Sequence, residues 1–258
     1  MLLAFDVGNT TIAIGLFRGR KLVKSWKIET DSDKTSDEYG VLLLSLMQAA
    51  GLTAGKITGA VISSVVPPLT PIIEDVCRST FGTTASVVGP GLKTGMPILY
   101  ENPLEVGADR ITASVAAFEK YGGPAIVLDF GTATTFDAVS AKGEYLGGAI
   151  APGVRISAEA LYLRTAKLPR IEIRKPKRAI GRTTVASMQS GLYFGYIGMV
   201  TRMIEEIRKE LGAEARVVAT GGFGGQIAAE LPVIQAYEPD LVLEGLRIIY
   251  DRNRDARD

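Results

Sequence analysis

The chain has 258 residues, a formal net charge of +1, one cysteine and no histidine. The absence of histidine excludes Ser-His-Asp hydrolases, Cys-His proteases, H-E-x-x-H metalloproteases and histidine kinases, because each of these needs an imidazole. Any acid–base step must therefore use Asp, Glu, Lys or Tyr. An apolar fraction of 47% with 22% charged residues is typical of a globular protein, and the near-neutral charge does not indicate a nucleic-acid binder.

The N-terminal residues and the single cysteine predict a cytoplasmic protein. Residues 1–6 (MLLAFD) lack a basic n-region and soon reach a carboxylate, so they do not resemble a signal peptide. The longest nearly uncharged helical pattern, residues 191–200, is about half the length that spans a bilayer. Cys77 has no second cysteine to pair with, and a buried, inert thiol is favoured over a reactive one. We therefore expect a reducing compartment and no membrane partner.

An internal repeat divides the chain into two halves. Residues 2–10 (LLAFDVGNT) return in chemical outline as residues 125–133 (AIVLDFGTA). Each copy is an apolar strand that ends in Asp-x-Gly, continues into a β-branched or aromatic run and turns back through a polar, glycine-containing tetrad. Third strands at 22–28 and 145–150 complete two antiparallel meanders. We therefore predict duplicated domains, at residues 1–115 and 116–258.

After each meander the hydrophobic period changes from 2 to about 3.6, which predicts helices. In the first half, Thr35 and Glu38 form a capping-box pattern before the first helix. The elements predicted there are a helix at 39–50, a strand at 60–66, a helix from Pro67 to Phe81, a strand at 85–88, a loop at 89–106 and a helix at 110–121. The second half predicts a helix after Gly153, a loop at 164–182, a helix at 183–211, a strand at 216–220, another helix, a short strand near 233–236 and a helix at 239–252. This order indicates an α/β fold with mixed sheets, and the charged tail at 251–258 is expected to fray.

Two further features of the second half leave alternatives open. The long helix carries Gly191, Gly195 and Gly198 on roughly one face, although each glycine costs about 1 kcal/mol relative to alanine. A closely packed helix would offset that cost, and either the same chain or a second subunit can supply it. The loop at 164–182 contains eight Lys or Arg and one Glu, a pattern that favours a solvated face over an anion site. We assign no site to it.

The first Asp-x-Gly segment combines a carboxylate at a strand end with a tight turn and hydroxyl groups. Asp6 can hold Mg²⁺ through water, Gly8 lets backbone N–H groups approach a phosphate, and Thr10 and Thr11 add donors. Alone this is ordinary turn chemistry. Its return at residues 129–135 (DFGTATT) changes the interpretation, because two such hairpins facing each other across a cleft would hold a nucleoside triphosphate from both sides.

A Gly-Gly turn at Gly221 and Gly222 follows the strand at 216–220 and can admit a ribose or a flat ring. It is not a dinucleotide fingerprint, since the third glycine would fall on Ile227. A Walker loop is also absent, because Gly55-Lys56 is followed by Ile57. A protein-kinase H-R-D loop is excluded by the lack of histidine.

Two phosphate hairpins and a Gly-Gly turn on duplicated halves resemble the actin/hexokinase/Hsp70 phosphotransferase superfamily. Within it, the chain resembles the type III pantothenate kinases over essentially its whole length. The motifs that carry this resemblance are DVGNT at 6–10, SSVVP at 63–67, GADR at 107–110, DFGTA at 129–133 and GGAIAPG at 147–153. The resemblance implies duplicated ribonuclease H-like domains with mixed sheets flanked by helices and a nucleotide cleft between them. It also implies ATP-dependent phosphorylation of pantothenate to 4′-phosphopantothenate, the first step of coenzyme A biosynthesis.

The resemblance further implies a role for each motif residue. Asp109 would be the general base that takes the proton of the pantothenate hydroxyl, although a helix N-cap or a salt bridge is the simpler role. Asp129 would hold a monovalent cation, K⁺ or NH₄⁺, and Asp6 would hold Mg²⁺. ATP would contact Asp6, Val7, Gly8, Asn9, Thr10, Thr11 and Thr132, with its adenosine at Gly221 and Gly222. Pantothenate would contact Tyr100, Gly107, Ala108, Asp109, Arg110 and Thr184. For Tyr100 a loop anchor, and for Thr184 a helix cap, remain open alternatives.

Two rival functions remain open. A phosphohydrolase of the same superfamily would use similar hairpins with a water nucleophile. A non-catalytic factor associated with transcriptional activation is the other rival; the near-neutral charge and the presence of all three aspartates argue against it. The family resemblance also implies a homodimer, with the second subunit partly closing the pantothenate pocket, and no nucleic-acid partner.

Overall fold

Two five-stranded sheets of one topology form the framework of the computed structural model, which describes residues 1–211 and 214–254. The strands are β1 (Leu2–Val7), β2 (Thr11–Arg18), β3 (Lys21–Glu29), β4 (Gly59–Ser64), β5 (Ala85–Val87), β6 (Ala125–Phe130), β7 (Ala133–Val139), β8 (Tyr145–Pro152), β9 (Arg216–Thr220) and β10 (Ala236–Tyr237). The sheet orders are β3-β2-β1-β4-β5 and β8-β7-β6-β9-β10. In both, the first three strands are antiparallel and the last two join in parallel. The predicted duplication and the α/β class with mixed sheets are confirmed.

Seven α-helices among the described residues flank these sheets. They are α1 (Ser36–Ala49), α2 (Thr70–Phe81), α3 (Ala108–Tyr121), α4 (Val154–Leu163), α5 (Thr184–Leu211), α6 (Gly224–Ala228) and α7 (Leu241–Arg254). The capping box at α1 is confirmed: the Glu38 N–H donates to Thr35 Oγ1 at 3.3 Å, and the Thr35 N–H donates to Glu38 Oε2 at 2.8 Å. The short strand predicted near 233–236 begins only at the last of these residues, as β10 at Ala236–Tyr237. Residues 231–234 instead form a turn, closed by the Ile234 N–H on the Leu231 carbonyl at 2.9 Å, and Ile234 packs into the core.

Strand periodicity decides which residues reach the two apolar cores. Leu3, Phe5 and Val7 of β1 lie in the first core, and Ile126, Leu128 and Phe130 of β6 lie in the second. Successive side chains of a strand point to opposite faces. Asp6 and Asp129 therefore lie on the face opposite each core. They stand one residue before the strand ends and remain half-buried, whereas Ala4 and Val127 on the same faces are fully buried.

The two compact units differ from the predicted segments 1–115 and 116–258 at the C-terminus. One unit is Met1–Glu119 with the residues from Asp240 onward, and the other is Lys120–Pro239. The C-terminal helix α7 returns to the first unit, where a Cβ on Gly245 would lie 2.1 Å from the Thr112 carbonyl oxygen of α3. Periodicity within α7 does not reveal which sheet the helix covers, and this explains the difference.

The predicted fraying of residues 251–258 is wrong for the described part of that tail. Residues 251–254 form the last turn of α7, and the Asn253 side-chain amide donates to the Lys93 carbonyl at 2.8 Å. Residues 255–258 lie outside the described residues. Elsewhere, Cys77 is buried as predicted, and burial raises the pKa of its thiol to about 12. No helix in the described part of the chain has the length and apolar character needed to cross a membrane.

Candidate functional site

The loop of the first hairpin, formed by β1 and β2, is closed by hydrogen bonds from both of its sides. The Gly8 N–H donates to the Thr11 carbonyl at 3.1 Å within the turn. From the end of β3, the Thr30 N–H donates to the Thr10 carbonyl at 3.1 Å, and the Thr30 hydroxyl donates to the Gly8 carbonyl at 2.7 Å. Asn9, Thr10 and Thr11 remain exposed. The loop thus offers hydroxyl and amide groups to solvent beside the Asp6 carboxylate.

The second hairpin, formed by β6 and β7, has a corresponding loop and meets the Gly-Gly turn. The Gly153 N–H, at the start of α4, donates to the Thr132 carbonyl at 3.2 Å. Gly221, with φ of +88°, comes directly after β9. A Cβ built on it would lie 2.4 Å from Asp129 Oδ1. A strand-end carboxylate and a turn that are 92 residues apart in the chain therefore form one surface. The structure brings together Asp129 and Gly221, which belong to two separate motifs of the sequence.

Asp109 lies in the first turn of α3, at the sheet edge that also carries the first hairpin. Its Oδ1 accepts the Arg110 N–H at 2.8 Å, and burial raises the pKa of the Asp109 carboxyl above its usual range. Gly107, before the helix, is close to Val65, whose N–H donates to the Val7 carbonyl at 3.0 Å. Asp109 is the second residue of α3, so the N-cap alternative is wrong.

The loop that carries Tyr100 is held by hydrogen bonds from α7, which were not predicted from the sequence. Asn253 Oδ1 accepts the Lys93 N–H at 3.0 Å, and the Arg252 guanidinium donates to Glu119 Oε2 at 2.8 Å and to the Thr94 carbonyl. Tyr100 itself is half-buried. The last described turn of α7, residues 251–254 (DRNR), has no apolar residue, so the sequence held no signal for this anchoring.

Thr184 is the exposed first residue of α5, and its neighbour forms the cap. The Ala186 N–H donates to Thr183 Oγ1 at 3.1 Å, which is the side-chain hydrogen bond expected of an N-cap. The alternative that Thr184 caps the helix is therefore wrong. Its side chain stands on an exposed surface, where it is available for a ligand.

A cavity of about 450 Å³ opens beside the Gly-Gly turn in the second unit. It is lined by Phe223 and Gln226 after the turn, by Arg155, Ala158, Glu159 and Tyr162 of α4, and by residues 170–173 of the basic loop. The Arg170 guanidinium lies 4.8 Å from the centre of the Tyr162 ring, a cation–π distance. Part of the basic loop thus forms a cavity wall, a role that was not predicted for it.

The glycine face of α5 is open over the described residues. Gly191, Gly195 and Gly198 are exposed, and apart from the backbone of the helix itself no described atom lies within 4 Å of a Cβ built on any of them. Phe194 on the same helix is 40% exposed. The described part of the chain therefore does not supply the close helix that would offset the cost of these glycines.

Comparison with known proteins identifies close relatives of the whole chain. A family model described as type III pantothenate kinase matches residues 2–206. A type III pantothenate kinase from Moorella thermoacetica is 54% identical over 253 residues, covering 98% of this chain and 100% of that protein. Another from Geobacter sulfurreducens is 53% identical over 255 residues, covering 99% and 100%.

Solved structures that are more distant in sequence share the fold. A proposed Baf family transcriptional activator from Campylobacter jejuni has a TM-score of 0.60 at 18% identity, covering 98% of this chain and 99% of that one. The activator of 2-hydroxyisocaproyl-CoA dehydratase from Clostridium difficile, with bound ADPNP, has a TM-score of 0.57 at 13% identity, covering 99% and 96%. At these identities the similarity shows the two-domain α/β arrangement alone.

Proposed function

Because the chain belongs to the type III pantothenate kinase family, its reaction is the phosphorylation of pantothenate in coenzyme A biosynthesis, and we propose that three half-buried aspartates divide the work of that transfer. The observation that carries the proposal is the position of Asp109. Its carboxylate lies at the sheet edge that carries the Asp6 turn, and burial raises its pKa. Asp109 is the base, while Asp6 and Asp129 serve the phosphates and cations.

The proton of the acceptor hydroxyl passes to Asp109. The hydroxyl oxygen of pantothenate attacks the γ-phosphorus, the bond from that phosphorus to the bridging oxygen breaks, and ADP leaves with the bond's electron pair. A raised pKa makes the Asp109 carboxylate a stronger proton acceptor. Because the transition state of phosphoryl transfer is loose, the position of this carboxylate contributes more to the rate than its basicity.

The first hairpin fits the phosphates of a nucleoside triphosphate and their Mg²⁺. One carboxylate together with phosphate oxygens and water is a common donor set for Mg²⁺ in nucleotide sites. The residues described include no cluster of three or more metal-ligating acidic or sulfur side chains, so a cation shared with the ATP phosphates suits Asp6 better than an all-protein site. When bound, Mg²⁺ supplies charge neutralisation of the β and γ phosphates. The exposed residues 9–11 donate to phosphate oxygens.

The second hairpin and the cavity bind the rest of ATP. Thr132 meets the phosphates, and Asp129 offers a carboxylate oxygen to a monovalent cation, K⁺ or NH₄⁺. Two glycines beside this carboxylate, Gly131 and Gly221, place no side chain over it, which supports access of an ion. The nucleoside lies against Gly221 and Gly222 and extends into the 450 Å³ cavity, since Phe223 and Gln226 line both the end of the turn and the cavity.

Pantothenate binds beside Asp109, with a second subunit completing its pocket. In this proposal Tyr100, Gly107, Ala108 and Arg110 contact pantothenate beside the base, and the open end of α5 contributes Thr184. The exposed glycine face of that helix supports a homodimer. Gly195→Leu should convert a dimer to a monomer in light scattering and raise the KM for pantothenate, whereas Glu205→Leu on the exposed charged part of α5 should not. A dimeric Gly195→Leu protein would contradict this interface.

The assignment of the base is tested by Asp109→Asn. We expect kcat to fall about 10²- to 10⁴-fold, the usual contribution of a general base, while ATP binding measured by calorimetry is retained. Asp33→Asn, at an exposed position, is the matched control. Parental ATP turnover that does not depend on pantothenate would contradict the kinase assignment, and near-parental kcat in Asp109→Asn would remove Asp109 as the base.

The pKa of Asp109 also predicts opposite pH trends for activity and stability. Because the pKa is raised in the folded state, the folded protein holds this proton more tightly than the unfolded chain. Stability should therefore decrease as pH rises through the Asp109 pKa, while kcat/KM rises as the base ionises. Asp109→Asn removes the buried charge, and its melting temperature at neutral pH should equal or exceed that of the parent. A clearly lower melting temperature of Asp109→Asn would contradict the interpretation that burial of the Asp109 charge destabilises the folded protein.

A further inference from the structure

The backbone conformation at Gly107 does not require a glycine. Its φ is outside the positive range that favours glycine, which nine other glycines of the described residues occupy. The nearest neighbours of a Cβ built there belong to side chains: Asp109 Oδ1 at 2.5 Å, and Val65 Cγ1 at an ordinary contact distance of 3.5 Å. The space that a side chain at 107 would fill is therefore already occupied, and its occupant is the Asp109 carboxylate.

We propose that Gly107 is a positioning residue, whose missing side chain provides the seat for the Asp109 carboxylate. This inference rests on the proposed role of Asp109 as base. Oδ1 lies in the seat and accepts the Arg110 N–H at 2.8 Å, so the orientation of the carboxylate is fixed from two sides. Oδ2 is the oxygen that receives the proton. The glycine thus acts through Asp109, in addition to any contact of its backbone with pantothenate.

Gly221 shows why position 107 is the informative one. A Cβ on Gly221 would also meet a carboxylate oxygen, Asp129 Oδ1, at 2.4 Å. However, Gly221 has φ of +88°, and its Cβ would also lie 2.6 Å from the Phe130 nitrogen. Backbone geometry alone requires glycine there, so a substitution at 221 cannot isolate the effect on Asp129. At 107 the carboxylate is the only group of the described residues that an alanine would displace.

The kinetic test is Gly107→Ala in the full chain, with Gly55→Ala as control. Gly55 also lies outside the positive φ range and has no described neighbour within 4 Å of a built Cβ. We expect Gly107→Ala to lower kcat about 10²-fold, the scale of a 1 Å misplacement, with the KM for ATP unchanged. The displaced carboxylate is less buried, so its pKa falls and the acid limb of the pH–rate profile moves to lower pH. Parental kcat and an unmoved acid limb would overturn the proposal.

A double-mutant cycle tests the seat independently of catalysis. Urea unfolding is measured for the parent, Gly107→Ala, Asp109→Ala and the double variant. If the carboxylate occupies the seat, Gly107→Ala lowers the unfolding midpoint in the parent background but not in the Asp109→Ala background, where the space is empty. An equal shift in both backgrounds overturns the seat, as does a double variant that fails to fold when Asp109→Ala folds. Failure of the proposed function would give a different result. The parent would then show no pantothenate-dependent turnover, while the cycle would still show coupling between positions 107 and 109.

Discussion

The two hairpins of the duplicated halves share one backbone scheme but lock their loops with different groups. In each, the residue that follows the third strand of the meander donates its N–H to a carbonyl of the loop: Thr30 to Thr10 at 3.1 Å, and Gly153 to Thr132 at 3.2 Å. Thr30 adds a side-chain hydrogen bond, from its hydroxyl to the Gly8 carbonyl. Gly153 adds none, and a Cβ there would lie 2.3 Å from the Thr132 carbonyl oxygen.

The loop lengths explain why a threonine holds one loop and a glycine holds the other. Four residues separate the paired Val7 and Ile12 in the first hairpin, whereas three separate Phe130 and Thr134 in the second. The shorter loop is held against the bare Cα of Gly153, and the longer loop leaves space that the Thr30 side chain fills. The two halves thus share the backbone hydrogen bond, but the loop is held by a hydroxyl group in one half and by close backbone packing in the other.

Among the changes that test the two hairpins, the largest expected effect comes from the Asp6 carboxylate of the first hairpin. Asp6→Asn keeps the size of the side chain and the hydrogen bonds of the turn, but removes the charge proposed to hold Mg²⁺. We expect kcat/KM for ATP to fall about 10²- to 10³-fold, the scale of one preorganised charge in a transition state. Kinetics over a range of Mg²⁺ concentrations measure the effect. If Asp6→Asn kept the parental kcat/KM for ATP and the parental Mg²⁺ concentration for half-maximal rate, Asp6 would have no part in holding the cation.

Gly153→Ala should disrupt the close packing of Gly153 against the loop of the second hairpin. The torsion angles of Gly153 (φ −65°, ψ 154°) suit alanine, so the change acts only through the new Cβ. This Cβ would lie 2.7 Å from the Gly131 carbonyl oxygen as well as 2.3 Å from that of Thr132, and the loop must move. We expect turnover to fall about 10²-fold, as for a 1 Å misplacement. Gly55→Ala is the control, and parental turnover in Gly153→Ala would show that the close packing is not needed.

The duplicated hairpins could be predicted from the sequence because their signals, strand periodicity and capping patterns, lie within short segments of the chain. The periodicity of residues 2–7 and 125–130 places Asp6 and Asp129 on the face away from each core, and the capping-box pattern locates the start of α1. Contacts between distant segments carry no such signal. Period 3.6 identifies α7 as a helix but does not say that Asn253 holds the loop at Lys93, 160 residues earlier. The cavity beside Gln226 was missed for the same reason, since three separate segments form it.

The carboxylate of the second hairpin is expected to affect the response to monovalent cations. Asp129→Asn should remove activation by K⁺ relative to Na⁺, a loss of about tenfold, in the range of changes near a bound cation. Rates at constant ionic strength in KCl, NH₄Cl and NaCl measure this response. Asp6→Asn should lower the rate in all three salts and leave their ratio unchanged. A parent enzyme with equal rates in K⁺ and Na⁺ would reject the ion role of Asp129.

The smallest expected effect comes from the hydroxyl lock of the first hairpin. Thr30→Val keeps the shape of the side chain and the backbone hydrogen bond to Thr10, but removes the donor to the Gly8 carbonyl at 2.7 Å. A net hydrogen bond contributes about 1 kcal/mol, which corresponds to roughly fivefold in a binding constant. We therefore expect the KM for ATP to rise about fivefold, while Thr30→Ser, which retains the hydroxyl, stays near the parent. Equal KM values in the valine and serine variants would show that the backbone hydrogen bond alone closes this loop, as it does in the second hairpin.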